Sequence, residues 1–460
     1  MIKFIPLGGA EDVGASCFYL NIDGAGILLD CGMHPRKKGI EALPDFNLLY
    51  ELPVDFVLIS HAHQDHIGSL PFLIQQFPHV IIYTVAQTKE ISFITLHNAA
   101  NIILEDNSAQ SEPSINDFRI YTHEEIDYLV KSIIELEYNE PILLKGLRQN
   151  STEPIKITFI DAGHILGSAS ILIEYYDKRI LYTGDINLSE QTIMIGADLE
   201  KIKNIDTLIL ETTYGSTDSK KLGTWETESK RFVKAANQIL QNDGSILIPV
   251  FALGKTQEML ALVNELMKRK SLIETNIYTG GIGREISRVY DNNRYIVRRK
   301  NSNLELKEIP QLNLLEIEDY NEFIKHPGIV LASSGMMLEG TTSYKLIDFW
   351  LNQKNFGIFG VGYMDPDSPG YKIINSSKGE FVQLNEFSSP KFVSCEIEKF
   401  YFPSHSKREE LLKIVEHSNA KKVILVHGES ESKGWIGLNI LKKFKDVSVY
   451  SAENNKEIIL

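Results

Sequence analysis

The sequence predicts an α/β protein in which one α/β domain is inserted into another. Three observations predict it. Short apolar, β-branched runs alternate with segments of helical periodicity along the chain. Six of those runs end on a histidine, aspartate or glutamate, which is how a sheet system delivers chemistry at its strand ends. Two of the six, Asp185 and His427, suit one site although 242 positions separate them, and that interval holds an α/β pattern of domain size.

From the N-terminus, GILLD (26–30) is the first such run and stops at Asp30. VDFVLIS (54–60) is the second, and HAHQDHIGSLP follows it. This places His61, His63, Asp65 and His66 within six positions of a buried strand end. Imidazole and carboxylate are good ligands for zinc and similar divalent ions. Alternate residues of an extended segment face the same way, so His61 and His63 suit one ion. Asp65 and His66 lie past the bend and suit a second. Gly68, Ser69 and Pro71 suit a turn entering a helix. Residues 86 to 150 read as a mostly helical cover, with TKEISFITLHNAANIIL and EEIDYLVKSIIELE at i, i+3, i+4 spacing. IKITFIDAGH (155–164), RILYTGD (179–185) and DTLILE (206–211) then deliver His164, Asp185 and Glu211. SILIPVFALGKTQEMLALVNELMKR (245–269) reads as strand, turn and helix. GIVLASSGMMLEG (328–340) and NFGIFGVGYM (355–364) read as further strands of a second parallel sheet. KKVILVH (421–427) closes the series at His427.

Composition bounds the class. An apolar fraction of 43% and a charged fraction of 23% are those of an ordinary globular protein. No apolar stretch reaches the length of a membrane span, and MIKFIPLGGAEDVG lacks the pattern of a signal peptide. Cys17, Cys31 and Cys395 make no disulfide framework, which fits a cytoplasmic location. Cys31 reads as a buried thiol and His34 as a loop residue. The net charge of −14 counts mildly against nucleic acid but leaves room for a local basic groove. GREISRVYDNNRYIVRRK (283–300) is the best candidate for one, with six basic residues that include Arg284, Arg298 and Arg299. Ser333, Ser334 and Gly335 follow a strand and either open a helix whose N–H groups hold a phosphate or form a structural turn. LGKT (253–256) is not a nucleotide P-loop, because Pro249 stands where that pattern needs glycine.

His61-x-His63-x-Asp65-His66, then His164, Asp185 and His427, resemble the ligand set of the metallo-β-lactamase fold. LETTYG (210–215), FPSHSKREEL (402–411), ILVHGE (424–429), IPVFALGKTQEML and ASSGMM resemble signatures of its β-CASP branch, over nearly the whole chain. The resemblance implies an α/β fold with an αββα sandwich, built from 1–211 and 396–460, and a β-CASP domain inserted at 212–395. It implies two zinc ions per chain. His61, His63 and His164 would hold one, Asp65, His66 and His427 the other, with Asp185 bridging and Asp30 orienting ligands from behind. It makes Asp65, Glu211 and His405 the catalytic groups and Lys255 a contact to substrate, and the basic run and the turn add Arg284, Ser333, Ser334 and Gly335 as candidate contacts. Two positions depart from the family pattern. His405 lies in Pro-Ser-His-Ser-Lys rather than Ser-Ala-His with a following acid, and Lys255 stands where relatives often have arginine.

The implied function is a zinc-dependent ribonuclease that hydrolyses RNA by a two-metal hydroxide mechanism, leaving 5′-phosphate and 3′-hydroxyl ends. Endonuclease action is expected, in RNA processing or decay, with RNA bound in a cleft between the domains. The chain ends soon after His427 and lacks the extra RNA-binding domains of some relatives, so RNA capture is expected to rely on the cleft or on a protein partner, and a homodimer stays open. A DNA nuclease is the first alternative, but DNA-acting members tend to carry valine where this chain has His427. A small-molecule hydrolase is the second, and it has no use for so large an insertion.

Overall fold

The computed structural model describes residues 1–108 and 121–460. The chain forms two compact units. One comprises Met1–Leu188, Gly196–Ser219 and His405–Leu460; the other comprises Ser189–Ile195 and Lys220–Ser404.

The first unit is built on two seven-stranded sheets. One runs Ile458–Ile459, Ile2–Gly8, Cys17–Ile22, Ala25–Leu29, Phe56–Leu58, Ile81–Val85, Ile134–Leu136. The other runs Ser448–Ser451, Lys422–Val426, Thr207–Glu211, Lys178–Tyr182, Ala169–Tyr175, Ile155–Asp161, Ile142–Leu144. Side-chain alternation explains the layering. Ile209, Ile424 and Val426 join Phe4, Phe18 and Leu29 in the core between the sheets. Leu208, Leu210, Val423 and Leu425 point the other way, on to the helices Arg408–Ser418 and Ser430–Lys443 through Leu411, Ile414, Ile436 and Ile440. Helix Ala86–Ser108 packs on strands Ile81–Val85 and Ile134–Leu136 of the first sheet. The layers are therefore helix, sheet, sheet, helix.

Residues 86 to 150 are less helical than their periodicity suggests. Ala86–Ser108 and His123–Ser132 are helices, the second opened by a capping box between Thr122 and Glu125. Residues 109–120 lie outside the described residues. The helix stops at Ser132, and the residues after it join the sheet: Ile134–Leu136 pairs in parallel with Ile81–Val85 as an edge strand. Ile142–Leu144 is likewise a strand, antiparallel to Ile155–Asp161.

The second unit holds a six-stranded sheet, in the order Leu312–Asn313, Asn276–Thr279, Gly328–Ala332, Ile246–Pro249, Gly357–Gly360, Glu396–Lys399, with every pairing parallel. Its bounds differ from the expected 212–395. Glu396–Lys399 belongs here because it pairs with Gly357–Gly360. Ser189–Ile195 belongs here because the buried Glu258 carboxylate accepts from Ile193 N at 2.8 Å and Met194 N at 2.9 Å, and Lys300 N donates to Ile193 O. Trp350 is wholly buried among Phe323, Phe349 and Phe356 in this core. Trp350→Ala should lower the stability of this unit by about 3–5 kcal/mol, read as an earlier transition in denaturant unfolding.

Candidate metal centre

The whole donor set lies in the first unit. Phe56–Leu58 ends just before Ser60, and the chain stays extended through His63, which caps the helix Gln64–Ile67. His61 and His63 therefore sit on the extended stretch, and Asp65 and His66 on the helical turn. The segment after Ala25–Leu29 clamps this turn. Cys31 N donates to His66 O at 2.8 Å, Met33 N to Gln64 O at 2.9 Å, and Ser16 N to Asp65 O at 2.8 Å. A Cβ on Gly32 would lie 1.7 Å from Asp65 O, so this approach requires glycine.

Four donors converge in the first group. His61 Nε2 lies 3.1 Å from His63 Nδ1 and 3.4 Å from Asp185 Oδ2. His164 Nε2 lies 3.2 Å from His63 Nδ1 and 3.6 Å from Asp185 Oδ2. The second group joins Asp65, His66 and His427. Asp65 Oδ2 is 3.3 Å from His427 Nε2 and 3.7 Å from His66 Nε2. Asp185 Oδ1 is 3.5 Å from His66 Nε2 and 3.2 Å from His427 Nδ1. Asp185 thus turns one oxygen to each group.

These spacings fit divalent ions. Tetrahedral donors about 2.0–2.1 Å from an ion stand about 3.3–3.4 Å apart, and the separations here, from 3.1 to 3.7 Å, bracket that value. His66 Nε2 and Asp185 Oδ1 are buried without a hydrogen-bond partner among the described residues, as atoms kept for an ion would be. The charges agree. Burial and the neighbouring His61 push His63 down to about 3, and burial lowers His61 and His164, so all three are neutral, the ligating form. Burial alone would also lower His66, yet the carboxylates of Asp185, Asp65 and Asp30 carry it up to about 10. Asp65 and Asp185 stay ionised despite burial, because His66 and His427 face them.

Asp30 is wholly buried, with a left-handed φ of 61°, and works through others. Its carboxylate is 2.8 Å from His66 Nδ1 and accepts from Ser60 N at 2.6 Å, Ser60 Oγ at 2.7 Å and Tyr182 OH at 2.7 Å. That bond leaves His66 Nε2 facing the donor group. Asp30→Asn should therefore weaken metal affinity by about 10–100-fold, measured by competition with a chromogenic chelator.

Beside this centre, Glu211 Oε1 lies 3.1 Å from His405 Nδ1 and accepts from Ile186 N at 3.1 Å, while Oε2 accepts from Thr213 N at 2.9 Å. Burial opposes charge on His405, but Glu211 and Asp185 outweigh it and raise its pKa. Ser406 N donates to Ile186 O at 2.8 Å, and Leu188 N donates to Ser406 Oγ at 3.1 Å, so the His405 loop is stapled to the Asp185 loop. Sequence reasoning did not single out Ser60, Tyr182, Thr213 or Ser406. Their only signal is nearness in sequence to His61, Asp185, Glu211 and His405. Cys31 is a buried free thiol. His34 serves its loop: its Nδ1 accepts from Arg36 N and Lys37 N, and its Nε2 faces Asp12 at 3.1 Å.

The expected substrate contacts lie in the second unit. Lys255 is buried, donates to Phe402 O and lies over the Trp225 ring at 5.6 Å, and burial pushes its pKa down to about 8. Ser333, Ser334 and Gly335 do not open a helix; the helix begins at Thr342. The turn spends its polar groups on itself. Ser334 O accepts from Ser343 Oγ at 2.7 Å, Ser334 Oγ accepts from Leu338 N at 3.1 Å, and a Cβ on Gly335 would come within 2.9 Å of the Phe251 ring. Arg284 is half-buried on helix Ile282–Asn292. Arg299 is no surface cation: its guanidinium donates to the carbonyls of Asn301, Tyr290 and Leu304.

The sheet sandwich and its strand-end donors define a metallo-β-lactamase fold. Residues 19–213 match a metallo-β-lactamase superfamily domain, 256–373 a β-CASP domain, and 392–450 a Zn-dependent metallo-hydrolase RNA specificity domain. Among curated proteins, the chain is 30% identical to an RNase J-like protein of Methanocaldococcus jannaschii over 95% of each chain. It is 31% identical to the Probable RNase MJ4 of the same organism over 93% of each. It is 28% identical to the cleavage and polyadenylation specificity factor subunit 3 of Dictyostelium discoideum, covering all of this chain and 57% of that one. A crystal structure of a protein of unknown function from Enterococcus faecalis V583 shares the fold, with a TM-score of 0.55 and 16% identity over the full length of both. The chain belongs to the β-CASP branch of the metallo-β-lactamase family. Among the described residues no helix is long and apolar enough to cross a membrane.

Proposed function

We propose that the chain is a zinc-dependent ribonuclease that cuts RNA internally, in RNA processing or decay. The observation that carries this reading is Asp185, whose two oxygens face two donor groups while His405 and Glu211 complete a third group with it. The ribonuclease names of the two archaeal relatives, matched over nearly their whole length, support RNA as substrate. The subunit name of the Dictyostelium relative supports a protein partner that targets RNA.

In this reading His61, His63, His164 and Asp185 would hold one ion, and Asp65, His66 and His427, with Asp185 shared, would hold the other. Two zinc ions bound there supply Lewis acidity and activate water at neutral pH. Asp65 is the ligand carboxylate that reaches solvent, its side chain 20% exposed against 3% for Asp185, so it is placed to accept the proton of the attacking water. Glu211 holds His405 by Nδ1, which leaves Nε2 to protonate the departing oxygen. Lys255 acts indirectly, by fixing the backbone at Phe402.

One RNA labelled in turn at each end, with and without a blocked 5′ end, tests the reading. Internal fragments from both labels, indifferent to the block, are expected. Shortening from the 5′ end alone would reassign the enzyme as an exonuclease, and no cleavage of RNA with zinc present would overturn the reading.

A further inference from the structure

The basic residues of segment 283–300 divide by what holds them. Arg294 pairs with Glu305 at 2.7 Å and donates to Asp291 O at 2.8 Å. Arg299 is tied to backbone carbonyls, and Lys300 pairs with Glu190 at 3.1 Å. Arg284 and Arg288 enter no ion pair among the described residues, and Arg288 is exposed. They stand one turn apart on helix Ile282–Asn292, so they share a face about 6 Å apart along the axis. That is close to the phosphate spacing of an extended strand. Glu285 lies a third of a turn away from that face. Just past the helix, Tyr295 is 67% exposed, and the Arg294 guanidinium lies 4.5 Å from its ring centroid. An exposed tyrosine alone is ordinary. A ring backed by a pinned guanidinium, three residues past the helix that carries two unpaired arginines, has the makings of a stacking surface in the same segment as a phosphate track.

We propose that Arg284, Arg288 and Tyr295 form a platform for single-stranded RNA. Tyr295 stacks on one base with Arg294 behind it, and Arg284 and Arg288 take successive phosphates. The proposal rests on the ribonuclease reading and adds that the substrate lies unpaired here, because a base within a duplex offers no free face to Tyr295.

The test measures binding of a fluorescent, hydrolysis-resistant phosphorothioate RNA to the zinc-loaded full chain, with the RNA single-stranded or annealed to its complement. Tyr295→Ala should weaken single-strand binding by about 5–100-fold and leave duplex binding unchanged. Tyr295→Phe keeps the ring and should stay within about twofold of wild type. Replacing Arg284 and Arg288 together by Ala should lower the salt slope for the single strand by about 1.4, or about 0.7 per phosphate. Wild-type binding by Tyr295→Ala, or an equal loss in Tyr295→Phe, would overturn the platform. Cleavage of RNA by all variants would then leave the ribonuclease reading standing, whereas a wild-type chain that neither binds nor cuts RNA would overturn both.

Discussion

Asp185→Asn is expected to abolish metal binding at both donor groups while leaving the fold intact. The side chain is 3% exposed, and its two oxygens face His61 and His164 on one side and His66 and His427 on the other. Asparagine keeps the volume but removes the charge and replaces one oxygen with a donor nitrogen. Both groups then lose a donor, and His66 and His427 lose one of the carboxylates that face them. Metal polarisation is worth several kcal/mol, and each ~1.4 kcal/mol is tenfold in rate. Cleavage should therefore fall by about 10³-fold or more, and elemental analysis should find well under one metal per chain. Normal far-ultraviolet circular dichroism would separate this from misfolding. Full metal content in the variant would remove Asp185 from the bridging role.

His405→Ala should cost about 10²–10⁴-fold in rate, the usual worth of a general acid, with metal content and RNA affinity unchanged. His405 is held through Nδ1 by a Glu211 carboxylate fixed by two backbone N–H groups. It belongs to neither of the two groups that would hold the ions, apart from its shared proximity to Asp185. The departing 3′ oxygen is a poor leaving group unless protonated. A sulfur in its place leaves without a proton. On that substrate the His405→Ala penalty should largely vanish while the Asp185→Asn penalty persists. An equal His405 penalty on both substrates would make His405 a phosphate-positioning residue instead.

The donor groups were legible because imidazole and carboxylate side chains fall where short apolar runs stop, and the fold brings those strand ends together. His61 through His66 needed only a strand end and a bend, and both are there. The hydroxyls that hold the Asp30 carboxylate were not legible. Ser60 and Tyr182 reach Asp30 across strands, and serine or tyrosine in a strand usually serves other ends. The excursion Ser189–Ile195 was hidden for a related reason. It is fixed by Glu258, more than sixty positions away, through backbone N–H groups that leave no mark in the sequence. Ser333–Gly335 misled because a strand followed by Ser-Ser-Gly matches a helix start, whereas the turn folds back on Ser343 and Leu338 before the helix opens. Arg299 misled because a cation in a basic run reads as solvated, yet three backbone carbonyls hold it.

The most direct test of the two-metal account is a Zn²⁺ titration of the chelator-stripped chain, following cleavage of an end-labelled RNA. The two donor groups sharing Asp185 predict no cleavage before metal is added and a rate that saturates near two ions per chain. Undiminished cleavage by the stripped chain, or saturation at a single ion, would contradict it.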